Sequence, residues 1–478
     1  MRVVRESAGD PRGENGTRRT RVDPGMPDAS TPAPEGVLWG KETALAIANF
    51  PVSGRPLPIE VIHALAAVKA EAAQVNLLLG VPGFTDEVAA AITSAASAVE
   101  RGAHDEQFRI DIFQTGSGTS SNMNVNEVVA RVATDAAGVE VHPNDHVNAG
   151  QSSNDAFPSA AAIAALREMT ASLRPALERL VASLESAAAR FESVVKSGRT
   201  HLMDAVPVTL GAEFGGYAAQ VREAIERLDD CAPRLGRLPL GGTAVGSGLN
   251  AHPEFGRMVV ERIAQRWSIP LSVAPNRYAA QASRDSLVEA SAQLRGLAMA
   301  LIKIANDIRW MGSGPSAGLG EIRLPELQAG SSIMPGKVNP VMSEMLTQVC
   351  VQVFGNDAAI AFAGSQGAFE LNTYQPVMAA NLLDSIRLLT AGCTLFADRC
   401  VDGIEADEQR CRQLAEASPS IATALNAELG YDRVSQLVKQ AVAERRSIID
   451  VVVESGALDR ETTERLVDVR KMAAGAVG

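Results

Sequence analysis

The sequence predicts a mainly α-helical protein built around a bundle of long helices. Three observations carry this expectation. Hydrophobic residues make up 46% of the 478 residues but aromatics only 4%, and the apolar share is rich in Ala and Leu, which favour helices packed on helices. Apolar residues recur at intervals of three, four and seven over long spans, the period of one helix face. Glycine-rich polar stretches are confined to short segments between those spans.

Taken in order, residues 1–36 mix arginines, acids, prolines and glycines without apolar periodicity and read as a disordered tail, with Met26 as an alternative start. Glu6, Asp10, Glu14 and Asp23 are unlike an acid-poor mitochondrial presequence, and the apolar core of a secretory signal is missing. Residues 37–150 form an N-terminal, mixed but mainly helical domain. In it, helical stretches such as "IEVIHALAAVKAEAAQVNLLL" alternate with glycine-rich loops.

Residues 151–407 form the central long-helix domain. Within 160–198, Ile163, Leu166, Met169, Leu173, Leu177, Leu180, Leu184, Phe191 and Val195 mark one face of a single helix kinked at Pro175. A second long helix runs from about Arg284 to Trp310, with Leu287, Leu294, Leu301 and Ile308 at heptad spacing. A third runs from about Val341 to Phe354. Helices of this length hide an apolar stripe only against one another, which implies a bundle. Residues 408–478 turn to shorter, more charged helices and read as a small C-terminal helical domain.

Composition also excludes function classes. A net charge of −12 and a pI near 5.2 argue against nucleic acid as a partner. No apolar run reaches transmembrane length between charges, so no membrane partner is expected. The five cysteines are odd in number and lack CxxC spacing. That argues against a disulfide framework or a zinc site and for a reducing, cytoplasmic location. No metal or organic cofactor is expected: there is no GxGxxG between strand and helix, and scattered cysteines do not suit an iron–sulfur cluster.

Four stretches concentrate hydroxyls, amides and glycines where loops meet long helices: "TGSGTSSNMNVNE" (115–127), "HPNDHVNAGQSSND" (142–155), "SGRTHLMDA" (197–205) and "GSSIMPGKVNP" (330–340). Helix capping needs about one such side chain per helix end. It does not account for Ser152, Ser153 and Asn154 in succession, nor for SGT followed by SNMN. Hydroxyls, amides, helix N-termini and one lysine suit a small carboxylate ligand. Because the stretches are far apart in sequence, tertiary or quaternary contact must assemble such a site.

"GSSIMPGKVNP" resembles the GSSxMPxKxNP signature of the fumarase/aspartase superfamily. "TGSGTSSNMNVNE", "HPNDHVNAGQSSNDAFP", "SGRTHLMDAVPVTLG", "GGTAVGSGLN" and "KIANDIRWMGSGP" resemble the class II fumarase pattern, from about residue 38 to the end. The resemblance implies a three-domain fold assembled into a homotetramer around a helical core, with each active site shared among three subunits. It implies a metal-independent fumarate hydratase, a lyase of the tricarboxylic acid cycle interconverting (S)-malate and fumarate.

It also implies roles. Ser331 is the base on a mobile loop, and Lys337 and Asn339, with Val338 between them, stabilise the charge that develops on the substrate carboxylate. Ser332 binds that carboxylate, and His201, oriented by Glu344, handles the leaving hydroxyl. Ser117, Gly118, Thr119, Ser152, Ser153, Asn154 and Thr200 match carboxylate- and hydroxyl-binding positions. His142, Pro143, Asn144 and Asp145 resemble a second dicarboxylate site, although Val139 and Glu140 stand where a basic residue is usual.

Three departures accompany the match. Ala212 stands where Gln is usual, Gly150 where Ser is usual, and the customary N-terminal "E.D..G" stretch is absent. An aspartate ammonia-lyase or another lyase acting on a substituted succinate is the alternative, although aspartases carry Gln where this chain has His201. An inactive structural or binding paralogue is a more remote one.

Overall fold

The computed structural model describes residues 36–475; the expected tail lies, apart from Gly36, outside them. The N-terminal helices are α1 (Lys41–Asn49), α2 (Ile59–Leu78), α3 (Asp86–Glu100) and α4 (Thr119–Ala137). There follow α5 (Ser153–Glu168), α6 (Arg174–Arg190), the hairpin β1 (Val195–Thr200) and β2 (Met203–Thr209), and α7 (Leu210–Leu235). Next come α8 (Phe255–Trp267), α9 (Arg277–Ala282), α10 (Asp285–Met311), α11 (Val341–Gly364) and α12 (Gln375–Arg399). Short helices close the chain: α13 (Glu408–Ala417), α14 (Asn426–Leu429), α15 (Tyr431–Glu444), α16 (Ile448–Glu454), α17 (Arg460–Leu466) and α18 (Val469–Ala473).

Five rods close into a bundle. Helix α6 packs on α7, α7 on α10, α10 on α11, α11 on α12, and α12 back on α6. The heptad residues do this work: Leu287, Leu294, Leu297, Leu301, Ile304 and Ile308 of α10 are buried in one core. That core reaches from Leu57 to Cys411, while a second apolar cluster joins Val195 to residues from Ala415 to Val469.

The lengths of these rods matter. Helix α10 has 27 residues and α12 has 25, so each spans roughly 40 Å at 1.5 Å per residue. Gln375, which opens α12, donates its backbone N–H to Gly116 O at 3.0 Å. At the other end of α12, Arg399 and Cys400 line the same crevice as Asn339 and Pro340. Two of the polar stretches therefore lie at opposite ends of one helix.

Several expectations need correction. The helix expected over 160–198 is two helices joined by a π turn at Met169–Leu173, just ahead of Pro175. A proline supplies no N–H to the preceding turn, and the widened turn absorbs the misfit. That rod ends at Arg190. Val195 continued its spacing by coincidence, because β1 buries it for a different reason.

"SGRTHLMDA" forms the turn of the β1–β2 hairpin rather than a simple loop before a helix. Helix α11 runs ten residues past Phe354, to Gly364. Its polar Asn356 and Asp357 stay helical because they bridge to neighbours: Asp357 accepts from Ser291 Oγ and Arg295 Nη1, both at 2.7 Å, and Asn356 Nδ2 donates to Ser385 Oγ at 3.1 Å. By length and composition α2 is apolar enough to cross a membrane, but 72% of its apolar window is buried inside the protein.

Candidate functional site

The first and second polar stretches meet. Ser117 Oγ lies 2.8 Å from Thr119 Oγ1, which lies 2.6 Å from Ser153 Oγ. Thr119 opens α4 and Ser153 opens α5, so two helix N-termini converge within hydrogen-bond reach of each other. Free N–H groups and the positive ends of two helix dipoles then face one spot, which favours an anion there.

Local chemistry forces this arrangement. Gly118 precedes α4 with φ +76°, and a Cβ there would sit 2.2 Å from the ring of Phe157. A Cβ on Gly116 would sit 1.7 Å from Thr373 O. Only glycines allow the loop to lie this close to α5 and to the start of α12.

Capping accounts for part of the second stretch. Ser152 accepts from Asn154 N at 3.2 Å, and Asp155 Oδ1 accepts from Ser152 N at 2.8 Å, which completes a capping box. Asp155 Oδ2 accepts from Gly241 N at 3.0 Å and Thr243 N at 2.8 Å, and Asn154 Nδ2 donates to Ala244 O at 2.9 Å. The "GGTAVGSGLN" loop is thereby clamped to the head of α5. Burial pushes the Asp155 carboxyl up to about 6, against the pull of those backbone N–H groups and of Lys69.

The other stretches lie elsewhere. Thr200 ends β1, and His201 (φ +55°) with Leu202 (φ +60°) forms the two-residue turn to Met203. Positive φ at both positions is what a tight hairpin turn demands, and it leaves His201 exposed. His201 borders a cavity of about 780 Å³ that Lys196, Arg199, Glu213, Tyr217 and Asp307 also line. Beneath it, the fully buried Glu321 takes Arg199 in both arms (2.9 and 2.7 Å) and lies 3.4 Å from Lys196 Nζ, which also bonds Glu213 at 2.8 Å.

The 330–340 segment is an exposed loop, and Ile333 on it is 83% exposed. Ser331 Oγ accepts from the backbone N–H groups of Ile333 and Met334 at 3.2 and 3.1 Å. Asn339 Nδ2 donates to Gly330 O at 2.8 Å, and Gly330 N donates to Lys337 O at 3.1 Å, which closes the loop. Ser332, Lys337 and Val338 are exposed. Neither serine caps α11, whose N-cap is Pro340 with no side-chain bond. Glu344 lies in the first turn of α11.

Among the described residues no hydrogen bond joins His201 to Glu344, or either of them to the Thr119–Ser153 junction. Position explains this. The junction lies where α12 begins, and its Asp155 clamp reaches α10 through Thr243, whose carbonyl accepts from Gln281 just ahead of that helix (2.7 Å). His201 lies near the end of α10, where Glu321 N donates to Met311 O at 2.9 Å. The rods hold the two groups a bundle length apart.

In the candidate second site, His142 Nδ1 accepts from Asn144 N at 3.3 Å and Asp145 N at 3.1 Å, capping a single π turn, Pro143–Val147. The ring nitrogen nearest Asp145 is therefore an acceptor, and the 3.2 Å approach of that carboxylate is proximity rather than a donated bond. His63 pairs with Asp105 at 2.9 Å. Among the described residues no group of three or more His, Cys, Asp or Glu side chains is placed to hold a metal ion.

Sequence reasoning passed over Lys69, Arg199, Glu213 and Glu321. Arg199 lay inside a quoted motif. Lys69 left one trace, a lysine in the middle of an Ala-rich apolar run.

Comparison with known proteins places these features in a family. Residues 31–355 match the family described as Lyase, and residues 421–474 match Fumarase C C-terminus. The chain is 55% identical over 445 residues to the class II fumarate hydratase of Mycobacterium tuberculosis, covering 92% of this chain and 93% of that one. It is 54% identical over 439 residues to the Corynebacterium glutamicum enzyme of the same name, covering 91% and 92%. The crystal structure of a class II fumarase from Schistosoma mansoni superposes with a TM-score of 0.90 at 36% identity, covering 92% of this chain and 96% of that one. The fold thus has counterparts across nearly the whole chain, which belongs to the class II fumarase family of lyases.

Proposed function

We propose that this chain is a fumarate hydratase, catalysing the reversible anti elimination of water from (S)-malate. The observation that carries the proposal is the Thr119–Ser153 junction, where two helix N-termini and three hydroxyls converge on a spot suited to a small anion. Thr200 completes the set of substrate-binding hydroxyls.

The hard step is removal of a weakly acidic proton from the carbon next to a carboxylate. Ser331 in its ionised form takes that proton and becomes a neutral hydroxyl. Two backbone N–H groups pointing at its Oγ favour the ionised form. The electron pair spreads into the adjacent carboxylate, where Ser332, Lys337 and Asn339 meet the added charge with donors fixed in advance. The C–O bond then breaks, the double bond forms, and His201 gives its proton to the departing hydroxyl, which leaves as water. Glu344 orients that histidine.

The Thr119–Ser153 junction lies at the far end of rods of roughly 40 Å from both His201 and the Ser331 loop, so the reaction needs more than one copy of the chain. A homotetramer with sites shared among three subunits meets this need. Its support is apolar surface left open on the bundle, with Val351 66% and Phe362 69% exposed on α11. The division at residues 150 and 407 and cytoplasmic residence belong to the same proposal. The five buried, unpaired cysteines suit a reducing compartment.

The test is ultraviolet absorbance of purified protein given (S)-malate, beside L-aspartate and a blank. Fumarate formed from malate alone is the expected result, and Ser331→Ala should abolish it without altering assembly. A folded, assembled protein that released fumarate only from aspartate, or a Ser331→Ala variant with full turnover, would overturn the proposal.

A further inference from the structure

We propose that Lys69 is a positioning residue for dicarboxylate binding: from inside the protein it ties the 115–127 and 142–155 segments together and so sets the spacing of the hydroxyls at the heads of α4 and α5. The inference rests on the hydratase function proposed above, and Lys69 takes no part in the proton transfers.

Lys69 lies midway along α2 and is fully buried. A buried ammonium is costly unless its N–H groups find acceptors. Here they find three: Asn122 Oδ1 at 2.8 Å, Asn148 Oδ1 at 2.9 Å and Gln151 Oε1 at 2.9 Å. Asn122 lies in the first turn of α4, close behind Thr119, while Gln151 immediately precedes Ser152 and Ser153. Asn122 Nδ2 also donates to Asn148 Oδ1 at 3.1 Å, and Asn148 Nδ2 to Gln151 O at 3.2 Å. One ammonium thus holds one leg in α4 and two in the segment that leads into α5. The 2.6 Å approach of Thr119 to Ser153 is the outward result of this inner tie.

All three acceptors are neutral carboxamides, so nothing cancels the charge at contact. Burial pulls the ammonium down to about 7, and Asp155 pulls it back up. Asp155 is committed to backbone N–H groups at the head of α5 and in the glycine loop. When protonated, the ammonium stands behind two helix N-termini of the same polarity, and all three then favour an anion on the outer side. A merely structural role would be filled more cheaply by an apolar side chain and mutually bonded amides.

Lys69→Met tests this. Steady-state kinetics on malate, inhibition by succinate (an unreactive dicarboxylate) and sedimentation are measured on wild type and variant. The expected result is a KM and a succinate inhibition constant each raised at least tenfold, kcat within threefold, and unchanged assembly. An unchanged KM, or a fall in kcat alone, overturns the inference.

If Lys69→Met does not fold, Asn148→Ala decides. It removes one leg at a half-buried position and should raise both constants at least threefold, whereas unchanged constants overturn the inference. The wild-type control separates the two proposals. Wild-type protein inert towards malate sinks the hydratase function, and calorimetric binding of succinate by both proteins then still decides the role of Lys69. A variant with wild-type KM in an active preparation sinks that role alone.

Discussion

Adding one methyl group at Gly118 should disable the protein more than its size suggests. In Gly118→Ala two costs combine. The backbone holds φ +76° there, a left-handed conformation that charges a residue bearing Cβ ~1–2 kcal/mol. The new Cβ would also lie 2.2 Å from Phe157 Cγ and Cδ2, on a ring with no exposure. Carbon atoms rest at about 3.5–4 Å, so loop or ring must retreat by about an ångström or more. Overpacking of this kind costs ~1–3 kcal/mol, and the sum is ~2–5 kcal/mol.

The retreat also carries Thr119 away from Ser153, whose hydroxyls now stand 2.6 Å apart. A displacement of about 1 Å at a positioned group can cost about a hundredfold in rate. The assay pairs malate turnover with the thermal midpoint, for Gly118→Ala alone and combined with Phe157→Leu. The double variant should recover part of the packing cost and none of the backbone cost. A Gly118→Ala protein with kcat/KM within twofold of wild type and an unchanged midpoint would show that neither cost operates at this position.

Two further outcomes are expected. Glu321→Gln strips the buried carboxylate from Arg199 and Lys196 and should destabilise the protein by ~3–5 kcal/mol; a thermal midpoint equal to that of wild type would show the pair to be dispensable. Stability should also depend on pH through Lys69. Its folded value, about 7, lies below the unfolded 10.5, so the unfolded chain binds more protons between these values. Wild type should therefore gain on Lys69→Met by about 1.4 kcal/mol for each pH unit above 7, as denaturation midpoints between pH 7 and 9 would record. Asp155 works in the opposite direction at lower pH. Its raised value of about 6 contributes stability that is fully present below 3.8 and lost as pH climbs through 6.

The long rods were legible because heptad spacing repeats over many turns, and the edges of α10 were placed within one residue. The hairpin around His201 was not legible. Its strands break register between Ser197 and Arg199, its turn residues are His and Leu rather than Asn and Gly, and the positive φ pair has no sequence signal of its own. The end of α11 was missed because Asn356 and Asp357 look like a terminus until Ser291, Arg295 and Ser385 are seen to receive them. Within the candidate site, the motif quoted around Thr119 and the one around Ser153 lie side by side. Their common support, Lys69, was hidden because a lysine on an Ala-rich helix normally marks a solvated face.

The length of α10 and α12 also bears on inheritance. If the hydroxyl junction of one copy works with the Ser331 loop of another, no single chain owns a site. A chain damaged at Thr119 and a chain damaged at Ser331 are then each inactive alone, yet a mixed assembly contains some sites in which every contributor is sound. Two defective alleles in one cell would restore each other in part, although neither encodes a working enzyme.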